Sequence, residues 1–99
     1  MEISLQTPGE IAIGVAARAR ARRLELNLTQ AGLAERAGLS LSSLKRFEGT
    51  GQITLVSLVR IAGALGGLSA FERLFGAPEI RSLDQLVERG RPRRRGRRT

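Results

Sequence analysis

The stretch LTQAGLAERAGLSLSSLKRFEG, residues 28–49, decides the fold, because it divides into two short helices joined by a very short turn. Thr29 can cap a first helix, and Gly38 can supply the left-handed residue that ends it after Ala37. Ser40 can then cap a second helix over residues 41–47. So short a connection forces the two helices to cross at a steep angle. The apolar residues spaced to fill that angle are Leu33, Ala34, Ala37, Leu39, Leu44 and Phe47.

A longer helix is predicted before this pair. Thr7 as N-cap, Pro8 at the first helical position and Glu10 three residues past the cap form a capping box. No proline follows until well past Leu26, and Ala, Arg, Leu and Glu dominate, so the alternating ARARARR of residues 17–23 is read as helix and not as strand. The residues that fall on the core-facing arc at 100° per residue are Ala12, Val15, Ala16, Ala19 and Leu26.

Arg23 falls inside that arc and therefore needs a buried acidic partner. Arg18, Arg20 and Arg22 point to other sides of the helix. Their charges either keep the protein soluble or lie near a phosphate of a bound partner. A second apolar stripe predicts that another element or a second subunit also covers this helix. The stripe consists of Ile13, Ala17 and Leu24.

Two further helices are predicted after the pair, and a third lies near the C-terminus. Thr54 caps LVSLVRIAGAL, residues 55–65, which Gly66 and Gly67 end. A short helix follows from Ser69, and Ser82 with Gln85 caps LDQLVER, residues 83–89. The inner stripe of the helix over residues 55–65 is predicted as Leu55, Leu58, Val59, Ala62 and Leu65, and the apolar edge of the helix over residues 83–89 as Leu83, Leu86 and Val87.

These elements predict one small all-α domain with extensions. Residues 1–7 form an N-terminal arm with a possible short strand that needs a partner, and residues 8–76 form the helical domain. Residues 77–90 form a C-terminal helical extension, and residues 91–99 form a tail that is expected to be disordered when alone.

Composition narrows the class of function. The 99 residues include no Cys and no His, so thiol nucleophiles, imidazole bases and disulfides are excluded, and no metal site or cofactor is predicted. The carboxylates are scattered without a nucleophile–base set, which argues against an enzyme. No run of 18 apolar residues and no signal peptide is visible, so the chain is expected to be cytoplasmic and not membrane-bound.

The net charge of +8 is unevenly placed along the chain. Residues 1–90 hold eleven basic and nine acidic groups, so the body is nearly neutral. The tail is open to three interpretations: a nonspecific DNA anchor, a partner-binding segment or a solubilising end. Its arginines are Arg91, Arg93, Arg94, Arg95, Arg97 and Arg98.

Residues 28–49, followed by TLVSLVRIAGALGG at 54–67, resemble the Cro and phage-repressor type of helix-turn-helix proteins, often called the XRE family. The LTQ entry, the LAxxAG first helix, the short turn, the Glu-Gly end and the Leu-rich following helix occur in order over about residues 8–68. The resemblance implies a five-helix, lambda-repressor-like fold and a transcriptional repressor. Such a protein binds double-stranded operator DNA as a homodimer.

Within that family the chain is most similar to HipB-like antitoxins, which pair with a HipA-type kinase toxin. The similarity lies in the TPGEI opening, the FEGTGQITL junction at residues 47–55 and the C-terminal extension. It implies an antitoxin that represses its own toxin–antitoxin operon. The alternatives are a stand-alone XRE-type or phage repressor without a toxin partner, and an interaction adaptor that keeps the fold without reading DNA.

The second helix of the pair has the width to enter the DNA major groove, where each base pair presents a distinct hydrogen-bonding pattern. Arg46 can bind guanine with two hydrogen bonds, Ser42 can bond a base or a phosphate, and Leu41 can meet a thymine methyl group. The family's usual base contacts match these three positions. Internal packing of Leu41 and a solvated helix face at Lys45 and Arg46 are the alternatives. The predicted base-reading residues are Leu41, Ser42, Ser43, Lys45 and Arg46.

Helix N-termini supply the predicted phosphate contacts, because their free amides and positive dipole end attract anions. Thr29, Gln30 and Ser40 lie at such ends, and Gln30 matches a phosphate-contacting Gln of the family. Arg23 and Glu48 match a buried ion pair of similar repressors, which implies that Glu48 is the acidic partner that Arg23 needs.

Overall fold

The computed structural model describes residues 5–76, and all the regular secondary structure within that range is helical, as predicted. The helices are α1 (Pro8–Glu25), α2 (Gln30–Ala37), α3 (Leu41–Thr50), α4 (Leu55–Leu65) and α5 (Leu68–Glu72). Leu5, Gln6 and Thr7 have no regular secondary structure. Most of the possible N-terminal strand, the helix predicted at 83–89 and the Arg-rich tail lie outside the described residues.

The predicted starts of α1, α2, α3 and α4 are confirmed by their caps. The Thr7 hydroxyl accepts the backbone N–H of Glu10 at 3.1 Å, and the Glu10 carboxylate accepts the N–H of Thr7 at 3.2 Å, which completes the capping box. The hydroxyls of Thr29, Ser40 and Thr54 cap the next three helices in the same way. Each of these side chains satisfies a helix N–H that has no partner within the helix.

The core lies where α2 and α3 meet each other and pack against α1 and α4. The residues predicted to fill the angle of the helix pair are buried, except that Leu39 is half-buried. Burial of the large side chains contributes about 1.5–3 kcal/mol each to stability. The buried apolar residues are Ala16, Leu33, Ala34, Ala37, Leu44, Phe47, Ile61 and Leu65.

The prediction for the end of α3 was wrong, because the helix continues to Thr50 instead of ending near Phe47. The Thr50 hydroxyl donates to the carbonyl of Arg46 at 2.7 Å within the last turn. Gly51 ends the helix with φ of 78°, and a Cβ built there would lie 2.8 Å from the backbone carbon of Ala12. Only glycine fits this close approach of α3 to α1 without a shift of the backbone.

Two residues assigned to the core are exposed. Leu26 is 40% exposed because α1 has already ended at Glu25, and Leu55 is 63% exposed at the first position of α4. The side chain that α4 buries most deeply is Ile61, 1% exposed, which the predicted inner stripe left out. The apolar residues of α4 surround most of the helix, so their spacing does not define which side faces the core.

The remaining differences are smaller. Helix α5 begins at Leu68 after Gly67, without a side-chain cap, so Ser69 does not start it. Ile13 and Leu24 of the second apolar stripe on α1 are about half exposed, and no element within residues 5–76 covers them.

Candidate nucleic-acid interface

The rotation of α3 is set by its two buried side chains. Leu44 and Phe47 are almost completely buried in the core. The opposite side of the helix therefore faces solvent and is free to enter a groove. All the predicted base-reading residues are exposed on α3: Leu41, Ser42, Ser43, Lys45 and Arg46.

Three serine hydroxyls cluster at the N-terminus of α3. The Ser40 Oγ accepts the backbone N–H of Ser43 at 3.1 Å and donates to the Ser43 Oγ at 2.8 Å. The Ser42 Oγ lies 3.3 Å from the Ser40 Oγ. A hydroxyl that accepts one hydrogen bond keeps its own proton to donate, so Ser43 can still offer O–H to an acceptor outside the protein.

The guanidinium of Arg46 is held by the loop that follows α3. Its Nη2 donates to the Oε1 of Gln52. The loop is itself fixed, because the Gln52 backbone N–H donates to the Thr50 hydroxyl at 3.1 Å while that hydroxyl donates to the Arg46 carbonyl. The contact with Gln52 thus positions the Arg46 guanidinium at one edge of the exposed face.

The contact between Gln52 and Arg46 was not predicted from the sequence. Gln52 lies in a loop, where helical periodicity carries no information, and its amide could not be assigned a partner from the sequence. Lys45, by contrast, forms no hydrogen bond or ion pair with any other described residue, so its ammonium group stays fully available.

Arg23 and Glu48 form the ion pair that the sequence analysis expected. Arg23 Nε lies 2.8 Å from Glu48 Oε2 and its Nη2 lies 3.1 Å from Oε1, while the side chains are only 8% and 4% exposed. Arg23 Nη1 also donates to the carbonyl of Leu28 at 2.8 Å. The pair ties α1 and the loop before α2 to the C-terminal half of α3.

Gln30 joins the same network. Its Nε2 donates to Glu48 Oε1 at 3.0 Å, so this predicted phosphate contact is anchored to the ion pair. The second N–H of the Gln30 side-chain amide and its carbonyl oxygen have no hydrogen-bond partner among the described residues. Thr29 caps α2 by accepting the N–H of Gly32 at 2.9 Å. Both predicted phosphate contacts, Thr29 and Gln30, thus lie together at the N-terminus of α2.

Two further findings concern metal ions and membranes and apply to residues 5–76. That range contains no group of three or more His, Cys, Asp or Glu side chains that could hold a metal ion. It also contains no helix that is long and apolar enough to cross a membrane. Every buried side-chain nitrogen or oxygen in the described part of the chain has a hydrogen-bond partner.

Comparison with known protein families agrees with this geometry. The model of the family described as Helix-turn-helix matches residues 20–72, more than half of the chain. The matched range runs from the last turns of α1 through α5 and includes the whole exposed face of α3. No curated protein matches the chain.

Proposed function

The chain belongs to the helix-turn-helix family of DNA-binding transcription regulators of the XRE type, and we propose that it is a repressor that reads specific double-stranded DNA through α3. The observation that carries the proposal is the division of α3 into two sides. Leu44 and Phe47 anchor one side in the core, and a row of polar and cationic side chains covers the other. Such a helix fits the major groove.

The proposed reading separates base contacts from backbone contacts. Arg46 donates two hydrogen bonds to a guanine, Ser42 bonds a base edge or a phosphate, and Leu41 contacts a thymine methyl group. The N-terminus of α2, with Thr29 and Gln30, holds a phosphate and sets the position of α3 on the duplex. Lys45 is a further candidate base contact, and Ser43 lies at the margin of this set.

The protein is proposed to act as a homodimer on a palindromic operator. One recognition helix contacts too few base pairs for useful specificity. Two helices related by a two-fold axis read half-sites about 10 base pairs apart, which is about 34 Å along the DNA. Repression follows because the dimer occupies DNA that RNA polymerase needs.

Selection from random DNA duplexes tests this function. The wild-type chain is expected to enrich a palindromic motif, and Arg46→Ala is expected to lose preference at the base that Arg46 reads. Arg60→Ala, which removes an exposed arginine of α4, is the matched control and should enrich the wild-type motif. Failure to enrich any motif would instead identify an adaptor that keeps the fold without reading DNA.

The narrower biological role is proposed as that of an antitoxin. The TPGEI opening, the FEGTGQITL junction and the C-terminal extension support this role by their likeness to HipB-like proteins. The chain would then bind a HipA-like kinase toxin and repress the operon that encodes both. Co-expression with the product of the neighbouring gene tests it: copurification with a kinase and loss of that kinase's toxicity support the antitoxin, and a chain that represses without such a partner is a stand-alone repressor.

A further inference from the structure

An apolar groove runs along α1 and α4, and its lining includes none of the residues proposed to read bases on α3. Two adjoining depressions form it, and they share Val15 and Leu58 as common lining. The depression near the start of α4 also includes Leu55, and the one near its end includes Ala62 and Phe71. Apolar side chains gain stability when they leave water, so an unfilled groove of this kind favours an occupant.

The chain leaves the described structure next to one end of this groove. Phe71 of α5 lines the groove, and a tight turn follows in which the Gly76 N–H donates to the Arg73 carbonyl at 2.9 Å. At this exit Leu74 is about half exposed and Phe75 is 97% exposed. The end of α5 thus adds further uncovered apolar surface where the next segment begins.

The sequence after Gly76 contains a segment that matches the groove. Residues 83–89 follow the capping box at Ser82, and at 100° per residue their apolar side chains fall within an arc of about 100°. Asp84 and Glu88 border that arc on one side. The apolar side chains of the segment are Leu83, Leu86 and Val87.

The charges on the α1 side of the groove are complementary to the acidic border of this segment. Arg18 and Arg22 line it. Arg22 donates to the Leu65 carbonyl at 3.2 Å and pairs with Glu25, whereas Arg18 forms no ion pair with any described residue. We propose that residues 83–89 of the same chain dock in the α1–α4 groove, with their apolar edge inside it and their acidic border toward Arg18.

The connection is long enough for docking within one chain. Seven Cα steps lead from Gly76 to Leu83 and span at most about 25 Å, whereas the 11 residues of α4 extend about 16 Å. A tethered segment also has an effective concentration in the millimolar range, which favours it over a second copy. The docked segment would fix the point on the body from which the Arg-rich tail starts.

Disulfide trapping in the full chain tests the docking, because the chain has no native cysteine. Ala62→Cys combined with Leu86→Cys is expected to form an intrachain disulfide under mild oxidation, since the Cβ atoms of a disulfide must lie about 3.5–4.5 Å apart. Ala62→Cys with Gln85→Cys is the matched control, because Gln85 lies on the opposite side of the segment. It should cross-link at least tenfold less.

A second cysteine position in the groove keeps the test decisive if the Ala62→Cys variant misfolds. Ala19→Cys on the α1 side of the groove replaces Ala62→Cys and should give the same preference for Leu86→Cys. In addition, Leu86→Asp is expected to lower the melting temperature by roughly 5 °C, and Gln85→Asp is not. A disulfide between two chains, or equal cross-linking of Leu86→Cys and Gln85→Cys at both groove positions, would overturn docking within the chain.

Discussion

The guanidinium of Arg23 binds both carboxylate oxygens of Glu48, at 2.8 and 3.1 Å, and thereby ties α1 to the helix that is proposed to read DNA. Glu48 also accepts a hydrogen bond from Gln30 at the start of α2. Three helices therefore meet at one carboxylate. Any change of Glu48 should affect both the stability of the domain and the position of α3 relative to the end of α2.

Removing one member of this ion pair should destabilise the protein strongly. We expect Glu48→Leu to lower the free energy of unfolding by about 3–5 kcal/mol, because the charge of Arg23 stays buried without a carboxylate to balance it. Adding Arg23→Met should restore much of the loss, since replacing both ions by apolar groups is often neutral. Urea denaturation followed by circular dichroism measures both effects.

Glu25→Ala is the control for the buried pair. It breaks the exposed pair between Arg22 and Glu25, in which the side chains are about half to two-thirds exposed, and should cost at most about 1 kcal/mol. Equal losses for Glu48→Leu and Glu25→Ala would show that burial adds nothing to the Arg23–Glu48 interaction.

Two glycines with the same backbone conformation should respond differently to alanine. Gly38 and Gly51 have φ of 71° and 78°, so Ala costs about 1–2 kcal/mol of strain at either position. A Cβ at Gly38 would meet no atom within 4 Å, whereas one at Gly51 would lie 2.8 Å from the Ala12 backbone. We expect Gly51→Ala to lose about 1–3 kcal/mol more than Gly38→Ala in chemical denaturation. Equal losses would mean that α1 moves away from α3 at no cost.

Local chemistry explains why so much of the fold could be predicted from the sequence. A cap such as Thr7 with Glu10, or Thr54 before α4, acts within four residues, so the sequence contains both partners of the interaction. The side of α4 that faces the core depends instead on the packing of distant helices. Leu55 and Ile61 are both apolar residues of one helix, and only the placement of α1 and α2 decides that Ile61 is the buried one.

The candidate site also has features that the sequence predicts and contacts that it does not. Leu44 and Phe47 have a helical spacing that identifies the outward residues of α3 from the sequence alone. The hydrogen bonds from Gln30 to Glu48 and from Arg46 to Gln52 join positions 18 and 6 residues apart, and no pattern in the sequence pairs them. Long-range polar contacts of this kind require the folded backbone.

Gln52 should sharpen base recognition by holding Arg46. We expect Arg46→Ala to weaken binding to the preferred operator by about 1–3 kcal/mol, since one bidentate base contact is lost. Gln52→Ala should cause a smaller loss in the wild type and almost none in the Arg46→Ala background, because the two side chains act as a unit. Fluorescence anisotropy on operator and random duplexes measures both. Additive losses would show that Gln52 contacts DNA independently of Arg46.

The proposed dimer predicts a strict dependence on operator spacing. Inserting five base pairs at the centre of the operator places the half-sites on opposite sides of the DNA, and two-fold related α3 helices cannot reach both. We expect affinity, measured by fluorescence anisotropy, to fall to about that of a duplex that carries a single half-site. Unchanged affinity with five added base pairs would rule out simultaneous reading of two half-sites.

The Arg-rich tail should contribute affinity without specificity. We expect replacement of the six arginines of residues 91–99 by glutamine to lower affinity for all duplexes about equally. The plot of log affinity against log salt should also become shallower, by about 0.9 for each phosphate that the tail neutralises, because fewer counterions are released on binding. The variant keeps the length of the chain, so any loss of affinity is due to the removed charges and not to a shorter tail. Arg46→Ala serves as the control, because it is expected to change the preference among DNA sequences. A salt slope equal to that of the wild type would show that the tail does not lie on DNA and would favour a partner-binding or solubilising role.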